Sequence, residues 1–393
     1  MSRTSALGPL PFRLVINRNA GTPGVVVLPA GGFRRARAEI TSWRDYAPTP
    51  LLDLPGIAAD AGVACVRLKD EAPRFGLGSF KALGGAYAVA NLLVSLLSRQ
   101  GVATAARSAD LMAGNYAEAT RKITVTCATD GNHGRSVAWG ARRFGCRAVI
   151  FVHEGVSQAR ADAIAAYGAT IRRVFGNYDD AVRIATMTAQ QEGWLVVSDT
   201  SWPGYMEVPR DIMQGYRVMP DEALAQWPGE PPTHVFVQAG VGGMAASVSV
   251  HLRSLLSPVP MLVVVEPERA ACLLASAELG LPTTVTGGLE TIMAGLACGE
   301  PSLLAWQELE RGAAAFMAIP DAAAIAAMRL LFGCGVVTGE SGVAGLAGFL
   351  LAAADPAARE ALGLDESSRV LLFSTEGATD PELFQAVVEN PLQ

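Results

Sequence analysis

A single lysine, Lys81, lies in the stretch GLGSFKALGGAYA, Gly76 to Ala88, between a Ser-Phe pair and a helix opening that carries two glycines. Glu71 is ten positions back and the next acid ahead is Asp110, so no local ion pair accounts for this cation. Two kinds of behaviour suit such a residue. It can snorkel, laying its stem along an apolar helix while the ammonium reaches water. Alternatively, a desolvated lysine loses its proton readily and forms an imine with a carbonyl cofactor.

Three further groups could do chemistry beside it. Thr129-Asp130-Gly131-Asn132-His133 is a polar turn at the end of the β-branched run ITVTCAT. HVFVQAGVGGMAASVSVHLRSLL reads as strand, glycine turn and helix, and satisfies G-x-G-x-x-A at Gly240, Gly242 and Ala245. Amides freed by those glycines, added to the positive end of the helix, make an anion site. Such a turn suits a dinucleotide, with Glu266 at the end of the next strand near where a ribose-binding acid would sit, and it suits a single phosphate equally. Finally, Ser374 and Thr375 close the run RVLLFST. An aldehyde cofactor with one phosphate needs a nucleophilic lysine, an anion-binding turn and polar partners for its ring oxygen and ring nitrogen. Each need has a candidate here.

These groups require strands whose ends can present them. From Ile123 the chain repeats a β-branched run, a glycine turn and an alanine-rich helical stretch: ITVTCATDG, RAVIFVHEG, TIRRVFGNY and WLVVSD open successive units. A second series has THVFVQAG, PMLVVVEPE and RVLLFSTEG. Strands alternating with helices at this spacing predict parallel sheets with right-handed crossovers, hence two α/β layers. Asp221 to His234, DEALAQWPGEPPTH, has the Pro, Gly and acidic content of a surface connection.

Composition narrows the ligand. Half of the 393 residues are apolar, enough for a large core divided into about two or three units. The net charge of −6, from 31 basic and 37 acidic residues with no cationic run, argues against nucleic acid or an anionic membrane as partner. The six cysteines form no C-x-x-C, and the four histidines do not cluster with them, so no metal site is expected. MSRTSALGPLPFRLVINR lacks an apolar run of signal-peptide length, and longer apolar stretches are broken by Gln238, Arg329 or Glu340. A cytoplasmic protein with a small-molecule ligand is the expectation.

Together, these residues resemble the β-family of pyridoxal-phosphate enzymes, the fold-type II group with serine and threonine dehydratases, threonine synthase and the tryptophan synthase β-subunit. The likeness spans about residues 40 to 380. Within the group it is similar to the diaminopropionate ammonia-lyase family, through RFGLGSFKALGGAYA, TDGNHGRSVAWGARRFG, SDTSWPGYMEVPRDIMQGY and TIMAGLACGEPS. The resemblance implies an α/β fold of two domains, each an open, mostly parallel sheet flanked by helices. The expected division is 1–85 plus 196–393 for a large cofactor-binding domain and 86–195 for a small one, with the active site in the cleft between them. A homodimer is usual in the family.

By the same resemblance, Lys81 holds pyridoxal 5'-phosphate, Asn132 meets the ring hydroxyl, and Gly240, Val241, Gly242, Gly243 and Met244 take the phosphate. Ser374 faces the ring nitrogen, with Thr375 as the alternative. Thr129, Asp130, Gly131 and His133 bind the amino-acid substrate. The dehydratases usually carry a small or hydroxyl residue where this chain has Asp130. A carboxylate there needs a compensating partner, such as the β-ammonium of diaminopropionate, and it could take the proton from Cα. The resemblance places Asp199, in SDTSW, at the site as a second acid; a strand-end or cap role is its structural alternative. Cys272 and Cys298 flank the segment with GGLETIMAG and form a candidate disulfide, against two thiols in a reducing cytoplasm. The implied reaction is β-elimination of ammonia from D- or L-2,3-diaminopropionate to give pyruvate and two ammonia. A serine or threonine dehydratase is the alternative within the fold, and a non-catalytic cofactor- or nucleotide-binding protein the alternative outside it.

Overall fold

The computed structural model describes residues 10–389. The chain divides into two compact units, one made of Met1–Val27, Pro48–Ser79 and Met219–Gln393, the other of Leu28–Ala47 and Phe80–Val218.

The first unit is built on a seven-stranded sheet in the order β1-β10-β9-β8-β11-β3-β2. Its strands are β1 (Arg13–Ile16), β2 (Leu51–Asp53), β3 (Cys65–Asp70), β8 (His234–Gln238), β9 (Met261–Pro267), β10 (Ala315–Ile319) and β11 (Arg369–Ser374). The five inner strands run parallel, and β1 and β2 close the edges antiparallel. β8 and β10 are buried at every position, which matches the apolar centre VFV of the one and the apolar run AFMAI of the other. The apolar helix Ala344–Ala354 lies in the core of this unit with Phe236, Val263, Val265 and Met317.

Asp221 to Gln226 do not form the expected surface connection. They belong to the helix Val218–Gln226, and Glu222 is buried by an ionic cluster. Glu222 accepts from Arg74 Nη1 at 2.8 Å, Arg74 Nη2 at 2.7 Å, Lys69 Nζ at 2.7 Å and the Thr49 amide at 3.0 Å. Arg74 also donates to both Glu71 oxygens, at 2.8 Å each. Two cations and two anions thus balance in the interior, the condition under which buried charge is tolerated. The cluster grips the turn Arg74–Gly76, where Phe75 has a φ of 52°, unfavourable for a bulky residue. That turn leads into the Ser79-Phe80-Lys81 segment. Replacing Glu222 with alanine leaves two buried cations facing one anion, and stability should fall by about 3–5 kcal/mol. Urea unfolding followed by circular dichroism checks this; a loss below about 1 kcal/mol would contradict it.

The second unit carries a four-stranded, all-parallel sheet in the order β6-β5-β4-β7. Its strands are β4 (Thr124–Thr129), β5 (Arg147–His153), β6 (Thr170–Val174) and β7 (Leu195–Val196). WLVVSD therefore supplies only a two-residue edge strand. The helix Ala82–Arg99 is long and apolar enough to cross a membrane by composition, yet most of it is buried inside the protein.

The division by contacts is drawn differently from 1–85 plus 196–393 and 86–195, because residues 28–47, 80–85 and 196–218 join the smaller sheet's unit. The helix Glu207–Tyr216 packs so closely on Ala82–Arg99 that a Cβ on Gly215 would lie 1.9 Å from the Leu83 carbonyl oxygen. Asn91 donates to Asp211 at 3.2 Å across the same contact. Gln214 and Arg217 donate to the carbonyls of Pro29 and Leu28, at 2.9 and 3.2 Å, and tie in the preceding segment. A run of sequence alone does not show such packing.

Candidate active site

In the second unit, Lys81 immediately precedes Ala82–Arg99 in helical conformation, so its side chain leaves from the start of an otherwise apolar helix. Its Nζ lies 2.6 Å from Asp199 Oδ2, a partner 118 residues away. The ammonium also lies 5.4 and 5.8 Å from the ring centres of Phe80 and Tyr216. Tyr178 donates to the other Asp199 oxygen at 3.2 Å. Burial alone would raise the Asp199 pKa, but His133, Lys81 and Tyr178 outweigh it and hold the carboxyl far below the usual range. The side chain is thus a carboxylate beside the lysine, not a strand-end cap.

β4 delivers the other acid. The Thr129 hydroxyl accepts from the amides of Gly131 and Gly134, both at 2.9 Å, folding the chain back at the strand end. Gly131 has a φ of 147°, open to glycine, and Asn132 begins the helix Asn132–Phe144. The expected substrate residue Thr129 therefore organises the turn. Asp130 emerges between them with only 11% of its side chain exposed, and its Oδ1 lies 2.8 Å from His153 Nε2. His133 Nε2 contacts the Val197 carbonyl at 2.6 Å, and Nδ1 lies 3.7 Å from Asp199 Oδ2. Burial pushes its pKa down, against the pull of the Asp199 carboxylate.

In the first unit, β8 passes into the turn Gly240–Gly242 and the helix Gly243–Leu255. Gly242 has a φ of 95°, and a Cβ there would lie 3.0 Å from the Ala305 Cβ. A Cβ on Gly240 would lie 3.1 Å from Cys298 Sγ. Only bare backbone fits, and backbone amides at a helix start are the donors a phosphate monoester takes. The turn thus fits the phosphate of pyridoxal phosphate. Glu266 is unavailable to a ribose: its two oxygens accept the amides of Leu273 and Leu274, each at 2.8 Å, and burial pushes its pKa up to about 8. This removes the acid that a dinucleotide reading required.

Ser374 ends β11 fully buried and donates to Thr338 Oγ1 at 2.9 Å. Thr375 accepts from Gln238 Nε2 at 2.8 Å, and the same amide reaches the carbonyls of Gly342 and Phe373, at 3.0 and 2.9 Å. The sequence assigned no site role to Gln238, Thr338, Tyr178 or His153. Two carried a signal: Gln238 is a polar end to an apolar strand, and His153 is a titratable residue at the end of a parallel strand, where ligands sit. Thr338 and Tyr178 carried none.

Both members of the candidate disulfide are buried beside Gly240: Cys272 Sγ points to the Gly240 carbonyl oxygen at 3.8 Å, and Cys298 Sγ lies 3.1 Å from where a Cβ on Gly240 would stand. Mass spectrometry of alkylated, unfolded protein, with and without reductant, decides the pairing: a gain of two thiols on reduction marks the disulfide, and identical counts mark two thiols.

A lysine beside a buried carboxylate, a second carboxylate at a parallel strand end and a phosphate-shaped glycine turn define an enzyme built for a phosphorylated carbonyl cofactor. Residues 43–376 match the family described as "Pyridoxal-phosphate dependent enzyme". The chain belongs to this family. It is 42% identical over 354 residues to the diaminopropionate ammonia-lyase of Escherichia coli (strain K12), covering 87% of each chain. Two crystal structures of the Escherichia coli diaminopropionate ammonia-lyase, one holo and one in complex with D-serine, superpose with a TM-score of 0.88 at 38% identity, covering 96% of this chain and 97% of that one.

Proposed function

We propose that the protein is a carbon-nitrogen lyase that converts D- and L-2,3-diaminopropionate, with one water, to pyruvate and two ammonia. The observation that carries this reading is the pair of acids, Asp130 and Asp199, each held by a hydrogen bond in the unit that carries Lys81. When bound, pyridoxal phosphate withdraws electrons from the substrate Cα and makes its proton acidic. Lys81 holds the cofactor, Gly240 to Met244 bind its phosphate through backbone amides, Asn132 meets its ring hydroxyl, and Ser374, steadied by Thr338, meets its ring nitrogen. A hydroxyl at that nitrogen leaves it unprotonated, which suits elimination over transamination.

The N-terminal amides of the Asn132–Phe144 helix bind the substrate carboxylate, and His133, fixed on the Val197 carbonyl, shapes that end of the site. Asp130 compensates the β-ammonium that serine and threonine lack. One of the two carboxylates takes the α-proton, and the β-amine leaves as ammonia. The released unsaturated amine takes up water and yields pyruvate and the second ammonia. Scattered cysteines with no C-x-x-C among them suit a reducing cytoplasm, and a homodimer is the expected assembly, checked by light scattering.

The test is pyruvate and ammonia release from a panel with both diaminopropionate enantiomers, both serine enantiomers and L-threonine. Two ammonia per pyruvate, with diaminopropionate the best substrate, is the expected result. Release from serine or threonine alone would make the protein a dehydratase.

A further inference from the structure

We propose that His153 is a positioning residue that fixes the carboxylate of Asp130 in the orientation in which it takes the substrate proton. The inference rests on Asp130 being one of the two bases.

The pairing of the two residues follows from the sheet. β4 and β5 are parallel neighbours with Thr129 opposite Val152, so the next residues, Asp130 and His153, leave the same edge side by side. His153 Nε2 then lies 2.8 Å from Asp130 Oδ1. The other ring nitrogen sets which proton is where. The Gly155 amide donates to His153 Nδ1 at 3.2 Å, so Nδ1 presents its lone pair and the ring proton sits on Nε2, aimed at the carboxylate. Gly155 permits this approach: a Cβ there would lie 3.0 Å from the ring Cε1 and 3.2 Å from Nδ1. The loop behind the ring is fixed as well. Arg173 Nη1 donates to the carbonyls of His153 and Glu154, each at 3.2 Å, and to Val156 at 2.7 Å.

A carboxylate on a turn can rotate about its Cβ–Cγ bond, and a base that rotates spends little time in line with the proton it must remove. A charge-assisted hydrogen bond to one oxygen stops that rotation and leaves the second oxygen to the substrate. Orientation of a catalytic group by a fixed hydrogen-bond partner behind it is the general logic of such dyads.

The experiment uses the holoenzyme and three variants: His153→Leu, which removes the donor; His153→Gln, whose amide N–H reaches a similar position; and Asp130→Asn. His153→Leu should lower kcat for the enantiomer that depends on Asp130 by about tenfold or more, less than loss of the base itself. Its KM, and kcat for the other enantiomer, should stay within about twofold, while His153→Gln restores most of the loss. Adding His153→Leu to Asp130→Asn should cost nothing further. Nitrogen-15 NMR of the histidine rings, without cofactor, should show His153 protonated at Nε2, with that signal shifted in Asp130→Asn. Equal loss on both enantiomers while Asp130→Asn remains selective, or losses that simply multiply in the double variant, would overturn the proposal. If Asp130→Asn is itself unselective, the two-base reading falls, and the double-variant comparison still decides whether the residues act together.

Discussion

Replacing Lys81 with alanine abolishes turnover and the visible absorption band of the lysine-linked cofactor, while the chain remains folded. The chemistry needs this amine, and losing such a group lowers kcat by about 10⁴-fold or more. The structure adds a cost that the sequence did not suggest. Lys81 is paired with Asp199 at 2.6 Å, and its loss leaves that buried carboxylate to Tyr178 and His133. A stability loss of about 1–3 kcal/mol should accompany the change, too small to unfold the protein. Pyruvate assays, absorbance spectra and urea unfolding of the same preparation separate the two effects. Appreciable elimination by the variant would sink the assignment of Lys81.

The second large effect is a division of labour between the acids. The α-protons of the two enantiomers project from opposite faces of a planar bound substrate, so one fixed base cannot reach both. Asp130→Asn should depress turnover of the D-enantiomer, and Asp199→Asn that of the L-enantiomer, each by about 10²- to 10⁴-fold. The two carboxylates do not start as equals. Asp199 is paired with Lys81 and accepts from Tyr178, whereas Asp130 is held by a histidine. Asp199 therefore becomes a useful base only as Lys81 releases it, and Lys81 is itself a competing base on one face. The L-enantiomer effect should consequently be the smaller of the two. Steady-state pyruvate formation from each enantiomer, at saturating cofactor, reads both numbers. If each replacement lowers both activities by one common factor, the acids bind or support, and the two-base reading is abandoned.

What could be read along the chain were features that neighbouring residues encode together. The β-branched runs marked β4, β5, β6, β7, β8, β9 and β11, because strand, turn and helix start each depend on a few consecutive residues. The same locality exposed Lys81 at a helix opening, Asp130 after a buried strand and the glycine turn at Gly240. The strands β1, β2, β3 and β10 were not read. Two of them are short edge strands, CVRLKD at Cys65–Asp70 is interrupted by Arg67 and Lys69, and AFMAI at Ala315–Ile319 follows an alanine run that gives no periodicity to tell strand from helix.

Other features lay beyond any local pattern. Lys81 has no acid near it in sequence, yet pairs with Asp199 118 residues on, because burial requires each charge to find its complement wherever the fold brings one. DEALAQ has the composition of a surface segment, but Glu222 turns inward because Lys69 and Arg74 are already buried there. Glu266 sits where a ribose acid belongs and instead holds the amides of a following helix. The sequence determined which residues could act and on which elements they lie. Only the tertiary structure decided which of them face one another, since strand register and helix packing set those distances, as Thr129 opposite Val152 does for Asp130 and His153.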